Sequence, residues 1–276
     1  MASRLRQAYG VAVEILPADL TQPRELAAVE ARLRDDASIG ILINNAGAGQ
    51  VGHFLAQTAS SVEQLLALNT TALARLAVAI APRLVQAGEG AIVNIGSVVG
   101  LAPEFGATIY GATKAFVLFL SQGMSLELSP KGVYVQAVLP AATRSDIWAR
   151  TGIDPDSLPE LMAVEELVDA ALVGFDRREA VTIPPLHEES RWDELDGARK
   201  GLLSDLRQAH AAERYQVAPQ DHRSGQPHRR SVGRYTNPTF ITQAVALFRL
   251  MMRAESVQVP WIGQGLCLVR LHHVSR

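Results

Sequence analysis

The chain has 276 residues, of which 48% are hydrophobic and 20% charged, enough apolar sequence for one large folded domain and too much for general disorder. Its formal net charge of −2 excludes an overall attraction to nucleic acid or anionic lipid. A single cysteine, Cys267, excludes an internal disulfide and a cysteine-cluster metal site, and it fits the reducing cytoplasm.

Short aliphatic segments alternate with longer amphipathic ones along most of the chain. Buried strands are predicted at residues 11–16, 39–43, 91–95, 133–139 and 180–183. Helices are predicted at 22–33, 110–128 and 164–175, and one or two long helices at 60–85. Thr21 is the predicted N-cap of the helix at 22–33, and Gly132 ends the helix at 110–128. This alternation is typical of a doubly wound parallel α/β sheet, whose ligand site lies at the carboxyl ends of its strands.

Two titratable residues open the predicted helix at 110–128, directly downstream of a strand end. Tyr110 and Lys114 stand four residues apart, and Tyr110 follows Ser97 by thirteen residues. Because four residues make just over one helical turn, the phenol and the ammonium lie on one face. The cation is expected to stabilise a phenolate and lower the pKa of Tyr110, so that the pair can transfer protons near neutrality.

Taken in order, the polar motifs of this chain resemble the short-chain dehydrogenase/reductase family. The motifs are Asp19-Leu20 after the first strand, Asn44-Asn45-Ala46-Gly47 after the second, Asn69 in a long helix, Ser97 after the third strand, Tyr110-x-x-x-Lys114, and Pro140 after the fourth. The resemblance covers residues 5–218. It implies a Rossmann-like domain at residues 1–218 that transfers hydride between a nicotinamide cofactor, NAD or NADP, and a carbonyl or alcohol.

The resemblance implies catalytic roles for Asn69, Ser97, Tyr110 and Lys114. Tyr110 is the acid/base, and Lys114 lowers its pKa and binds the nicotinamide ribose. Ser97 orients the substrate oxygen, and Asn69 positions a water that links Lys114 to solvent. The structural alternatives are a helix-capping Ser97, an Asn69 held by backbone contacts, and a packing tyrosine beside a lysine whose stem is buried.

The same resemblance implies that the turns after the strands hold the cofactor. Asp19 would lie near the adenine amino group, and the turn formed by Asn45, Ala46 and Gly47 would lie beside the adenosine ribose. The residues implied to contact the nicotinamide half and the phosphates are Tyr110, Lys114, Pro140, Thr143 and Ser145. A structural alternative for Asn45 is an amide that bridges neighbouring strands, with Gly47 allowing the backbone to turn.

The chain departs from the family pattern before residue 5. The resemblance implies a first strand, a Gly-rich phosphate-binding turn, a helix and a second strand there, and this sequence contains none of them. The expected fold is therefore a Rossmann-like sheet missing its first two strands. The strand at 11–16 then pairs with the strand at 39–43, accepts a strand from another subunit or stays loose, and the strand at 39–43 exposes an apolar edge.

Two functions follow from this departure. One is an NAD(P)-dependent oxidoreductase, and the other is a catalytically silent remnant or assembly partner that does not bind dinucleotide alone. The segment 47–52 has Gly-x-Gly-x-x-Gly spacing, but it matches the family's turn beside the ribose, and that interpretation is favoured over a relocated phosphate site.

Apolar residues near the predicted site indicate the substrate class and the assembly. A small aliphatic, aromatic or lipid-like alcohol or carbonyl fits a pocket lined by Val98, Val99, Leu101, Phe105, Ile109 and Trp148. The resemblance implies a homodimer or homotetramer formed through the helices at 60–85 and 110–128. Phe116, Leu120 and Met124 are the expected apolar contact face.

Residues 219–276 differ in composition from the rest of the chain. From Gln220 onward there are eight Arg, no Lys and two acidic residues. A flexible basic linker at 221–234 and an amphipathic helix at 240–253 are expected in this extension. A diffuse basic patch without a motif predicts no specific nucleic-acid binding, scattered histidines predict no metal site, and short apolar runs predict a cytoplasmic protein without a membrane span.

Overall fold

The computed structural model describes residue 7, residues 13–49, 53–145, 154, 157–158 and 161–215, and the backbone of 266–271. The chain divides into two compact units, residues 1–187 with 261–276, and residues 188–260. Three predicted features lie outside the described residues: the substrate-covering segment 146–153 with Trp148, the linker at 221–234 and the helix at 240–253.

The strands of the first unit follow the predicted order. They are β1 (Val13–Ala18), β2 (Ile41–Asn44), β3 (Gly90–Ile95), β4 (Val133–Val138), β5 (Val181–Thr182) and β6 (Leu266–Leu271). The strands β2, β3, β4 and β5 form a parallel sheet in that order. The predicted α/β class with a parallel Rossmann-like sheet is confirmed.

Strand β1 does not join that sheet. It pairs antiparallel with β6, and the register places Val13 opposite Leu271 and Ala18 opposite Leu266. The direct pairing of β1 with β2 that the sequence left open is therefore not what the chain adopts. The partner strand comes from a segment in which the sequence indicated no family pattern.

Helices connect the parallel strands. In the first unit they are α1 (Pro23–Asp35), α2 (Ala59–Leu66), α3 (Leu73–Ala87), α4 (Thr108–Leu128) and α5 (Val164–Asp176), and the second unit contains α6 (Ser190–Gly201). A π-helical turn, Ala67–Ala72, joins α2 to α3 and divides the run predicted at 60–85. The predicted N-cap of α1 is wrong, because Gln22 occupies that position and Thr21 donates its hydroxyl to Asp19 Oδ1.

The hydrophobic core of the first unit lies between one face of the sheet and the helices α1 and α3. Its fully buried side chains include Leu26, Val29, Leu33, Leu42, Leu76, Ile80, Leu84, Ile92 and Val133. One helical run in the described part of the chain, Ala59–Ala87, is long and apolar enough to cross a membrane, but 61% of its apolar window is buried in the fold. We therefore interpret it as a core helix.

The opposite face of β2 is uncovered. Ile41 and Ile43 are 51% and 59% exposed, whereas Leu42 between them is 3% exposed. Because side chains alternate between the two faces of a strand, the two exposed isoleucines share one face. The predicted exposed edge is a separate feature, and it is found because β2 is the terminal strand of the four-stranded sheet.

The apolar face of α4 differs from the predicted one. Phe116 is exposed as expected, but Met124 packs against the hydrophobic core. Phe119 and Leu126, which are 77% and 79% exposed, lie outward instead. The apolar face that α4 exposes therefore includes Phe119 and Leu126, and it lies further around the helix than the face predicted from Phe116, Leu120 and Met124.

Candidate active site

Tyr110 and Lys114 lie in the first two turns of α4. The Lys114 Nζ is 5.7 Å from the centroid of the Tyr110 ring, so the two side chains share one side of the helix as predicted. Lys114 is only 7% exposed, and its Nζ donates to the Ile95 carbonyl oxygen at 2.9 Å. The end of β3 and the start of α4 therefore meet at this amine.

Burial controls the protonation of both groups. Burial lowers the pKa of Lys114 to about 8. Burial also raises the pKa of Tyr110, and a side-chain hydrogen bond with Ser97 opposes that rise. This net direction is set by burial and by Ser97, and the lowering of the Tyr110 pKa by Lys114 stays a prediction.

Ser97 lies directly after β3, with its hydroxyl beside Tyr110. The Ser97 Oγ accepts from the Val99 backbone N–H at 3.2 Å and donates to the Pro140 carbonyl oxygen at 3.3 Å. The hydroxyl caps the turn Val98–Gly100, which is the structural alternative foreseen for it. Its hydrogen bond with Tyr110 also places it where a substrate oxygen would meet the phenol. The two roles are compatible.

The turn that Ser97 caps packs closely against α4 at Gly100. A Cβ at residue 100 would lie 2.6 Å from both the Lys114 carbonyl carbon and the Ala115 backbone nitrogen. Only glycine permits this approach. The sequence analysis did not single out Gly100, although a glycine three residues after a strand-end serine signals a close backbone contact.

Asn69 connects its π-helical turn to the turn after β2. The Asn69 Oδ1 accepts from the Ala48 backbone N–H at 2.9 Å, and its Nδ2 donates to the Ala48 carbonyl oxygen at 2.9 Å and to Thr113 Oγ1 at 3.1 Å. Asn69 is 1% exposed, so the amide is held by backbone contacts, as the structural alternative stated. The positioning of a water by Asn69 stays a prediction.

The bridge between neighbouring strands is made by Asn44 rather than Asn45. The Asn44 Nδ2 donates to Asn94 Oδ1 at 2.9 Å, and the Asn94 Nδ2 donates to Ser121 Oγ at 2.9 Å. Asn45 is exposed, so the bridging alternative proposed for it is wrong. The signal for this buried connection was Asn94, an amide within the apolar strand β3.

The remaining predicted cofactor residues make local contacts. The Asp19 Oδ1 accepts from the backbone N–H and the hydroxyl of Thr21. The Pro140 carbonyl oxygen also accepts from the Val98 N–H, which brings the end of β4 to the Ser97 turn. Thr143 Oγ1 donates to the Ala141 carbonyl oxygen, and Ser145 is exposed on the following loop. Pro140 thus joins the site through the Ser97 turn, and the contacts of Asp19 and Thr143 are local to their own loops.

The surroundings of Lys114 fit the ribose of a nicotinamide cofactor. An ammonium has three donors, and among the described residues one acceptor, the Ile95 carbonyl oxygen, is bonded to it. A Cβ at Gly47 would lie 3.6 Å from Lys114 Nζ and 3.4 Å from Asn69 Oδ1. The bare glycine therefore leaves space for ligand hydroxyls beside the amine.

The described residues provide fewer candidate contacts for the phosphate half of a dinucleotide than for the nicotinamide ribose. Residues 50–52 of the Gly-x-Gly-x-x-Gly segment lie outside the described ranges, and the visible part, 47–49, is the turn held by Asn69. Among the described residues, no group of three or more His, Cys, Asp or Glu side chains could hold a metal ion.

Solved structures provide close relatives. A short-chain dehydrogenase from Sphingobium yanoikuyae in complex with NADPH is 73% identical, with a TM-score of 0.76, and the match covers 78% of this chain and 84% of that one. The bulky-bulky ketone specific alcohol dehydrogenase from Comamonas testosteroni is 65% identical, with a TM-score of 0.72 and coverages of 78% and 83%.

Sequence relatives point in the same direction. Nodulation protein G of Azospirillum brasilense is 28% identical over 203 residues, 73% of this chain and 74% of the relative. The very-long-chain 3-oxoacyl-CoA reductase of Bos taurus is 33% identical over 144 residues, and the match spans 46% of that protein's length. The family model for short chain dehydrogenases matches residues 1–155. The chain therefore belongs to the short-chain dehydrogenase/reductase family.

Proposed function

We propose that the chain is an NAD(P)-dependent oxidoreductase that interconverts an alcohol and a carbonyl on a small apolar substrate. The observation that carries the proposal is the meeting of the Ser97 turn with the start of α4, where Ser97 lies near the Tyr110 phenol and the buried Lys114 amine lies beside the same ring. The NADPH complex of the 73% identical relative supports NADP as one cofactor, and the present residues do not distinguish NADP from NAD.

The chain's own residues handle the proton of this reaction. The nicotinamide supplies or accepts the hydride when it is bound. In the reducing direction, Tyr110 donates its proton to the substrate oxygen as the carbonyl becomes an alcohol, and in the oxidising direction it takes that proton back. Ser97 holds the same oxygen by a hydrogen bond, and the charge on Lys114 stabilises the phenolate left after donation. Since burial raises the pKa of Tyr110, the phenol is protonated at neutral pH, which favours reduction.

The substrate proposal rests on apolar side chains around Ser97. Val98, Val99, Leu101 and Ile109 are partly buried in this region, and Phe105 is 60% exposed on the turn before α4. The similarity to an alcohol dehydrogenase specific for bulky-bulky ketones supports a ketone as the carbonyl substrate. The proposed catalytic domain is residues 1–218, with 219–276 as its extension, and a cytoplasmic location fits the single cysteine.

A second candidate is a catalytically silent chain that requires an assembly partner. The observation that favours it is the uncovered face of β2, where Ile41 and Ile43 are more than half exposed. An exposed apolar face is a surface that a partner can cover, and the silent chain would bind no dinucleotide on its own.

Calorimetric titration with NADPH and NADH, followed by assays of aryl ketone reduction, separates the two candidates. The oxidoreductase shows saturable binding, and Tyr110→Phe keeps that binding while lowering kcat by about 100-fold or more, because the proton donor is lost. The silent chain shows no saturable heat, and its Tyr110→Phe variant is indistinguishable from the parent. Thr182→Val, a change distant in sequence at a buried hydroxyl of β5, controls for general damage to the fold.

A further inference from the structure

We propose that Thr113 is a positioning residue, which couples the start of α4 to the turn at residues 45–49 and so sets the affinity for the nucleotide. The proposal rests on the proposed function. Thr113 is 1% exposed, and its hydroxyl has a partner on each side. The Thr113 Oγ1 donates to the Tyr110 carbonyl oxygen at 2.8 Å and accepts from Asn69 Nδ2 at 3.1 Å.

The contact with Asn69 distinguishes this threonine from an ordinary helical one. A threonine hydroxyl in a helix commonly donates to a carbonyl one turn earlier, and that bond alone has no further consequence. Here the hydroxyl also accepts one of the two hydrogens on Asn69 Nδ2, while the other goes to the Ala48 carbonyl oxygen. Together with the bond from the Ala48 N–H to Asn69 Oδ1, these contacts satisfy the whole amide.

The resulting chain of hydrogen bonds runs from Tyr110 through Thr113 and Asn69 to Ala48. Next to Ala48, Gly47 faces both Asn69 Oδ1 and Lys114 Nζ. If the Asn69 amide loses its bond to Thr113, it holds Ala48 less firmly. The turn at residues 45–49, which borders the Lys114 amine, is then released. The bond from Lys114 to the Ile95 carbonyl oxygen and the bond between Tyr110 and Ser97 do not involve Thr113. Loss of the Thr113 hydroxyl is thus expected to weaken nucleotide binding while leaving the proton-transfer groups in place.

Thr113→Val removes the hydroxyl and keeps the shape, and Thr113→Ser restores it. The loss of one buried hydrogen bond predicts that hydrogen exchange at residues 45–49 becomes about tenfold faster in the valine variant. The KM for NADPH is expected to rise by about tenfold with kcat changed by less than about twofold. The serine variant is expected to restore both the exchange rate and the KM.

The matched control is Thr182→Val. Thr182 is a buried threonine of β5 whose hydroxyl donates to Glu179 and accepts from Gln136. In this variant, amide hydrogen exchange at residues 45–49 is expected to be as slow as in the parent. The control therefore tests whether the loss of any buried threonine hydroxyl loosens the turn.

Two results would overturn the role of Thr113. One is a valine variant that melts earlier but keeps the parental exchange rate at 45–49 and the parental KM, because Thr113 would then be only a stabilising contact. The other is a serine variant that behaves like the valine variant. If the parent chain binds neither NADPH nor NADH, the proposed function fails, and the exchange rates of the Thr113 variants still decide whether the hydroxyl holds the turn.

Discussion

At the scale of single residues, Lys114 holds an ammonium where water is almost excluded. Its pKa is about 8, below the ordinary value of 10.5, because burial disfavours the charged form. Below pH 8 the folded protein bears the whole cost of the buried charge. Between about pH 8 and 10.5 the unfolded chain binds more protons at this residue than the folded chain, so the contribution of Lys114 to the free energy of unfolding increases with pH.

We expect Lys114→Met to raise the free energy of unfolding at neutral pH, by up to about 3 kcal/mol, since the variant removes the buried charge. The gain over the parent should shrink as the pH rises from about 8 to 10.5. Urea unfolding of both proteins across this range measures the difference. Lys131→Met replaces an exposed lysine, so it is the control for the general effect of a lysine-to-methionine change, and it should not stabilise the fold at neutral pH. If the difference in free energy of unfolding between Lys114→Met and the parent is the same at every pH, the lowered pKa of Lys114 is refuted.

The placement of Tyr110 and Lys114 on one side of a helix could be predicted from the sequence, but the protonation of the two groups could not. A four-residue spacing places Tyr110 and Lys114 on one side of a helix wherever the helix lies. The pKa of each group depends on how much water the rest of the fold removes, and that quantity is set by segments distant in the sequence.

At the scale of elements, helix α4, which carries Tyr110 and Lys114, is positioned by the turn that packs against it. We expect Gly100→Ala to push this turn away from the backbone at Lys114 and to lower both the free energy of unfolding, by about 1–3 kcal/mol, and the turnover number. Urea unfolding and ketone reduction assays provide the two measurements. The approach of 2.6 Å to backbone atoms leaves no flexible side chain that could move aside.

The control for this prediction is Gly197→Ala in α6, where an added Cβ has nothing within 4 Å. That change is expected to be neutral or stabilising by about 0.5–1 kcal/mol, because alanine favours a helix. If Gly100→Ala is tolerated as well as Gly197→Ala, the close packing of the turn on α4 does not position the site.

The sequence predicted most elements but not the interruption at residues 67–72. An apolar pattern with helical spacing is compatible with both an α-helix and a single π-helical turn. The turn carries Asn69, whose amide bonds to Ala48 and Thr113, and those partners come from other parts of the chain. A local pattern therefore could not reveal why the helix is interrupted there.

At the scale of the whole molecule, the outward face of α4 is the surface that best fits a symmetric partner. Phe119 and Leu126 are 77% and 79% exposed, and Val78 on α3 is 72% exposed. Exposed apolar side chains on a helix favour association, and we propose that the chain forms a homodimer or homotetramer through these helices.

Phe119→Asp is expected to convert the oligomer to a monomer, since it places a charge in the proposed contact. Sedimentation velocity measures the change. Leu55→Asp, at a side chain that is 95% exposed on the turn before α2, should leave the assembly intact. A parent chain that sediments only as a monomer would contradict the proposal, as would a Phe119→Asp variant of unchanged size.

The sequence by itself determined the family, the order of strands β1 to β5 and helices α1 to α5, and the placement of Tyr110 and Lys114 on one side of a helix, because these follow from motifs and from periodicity along the chain. Only the tertiary structure decided that β1 pairs with β6, that Asn44 rather than Asn45 bridges the strands, and that Gly100 lies against Lys114. These features depend on contacts between residues far apart in sequence. Many chain geometries share the same local pattern, and packing selects among them.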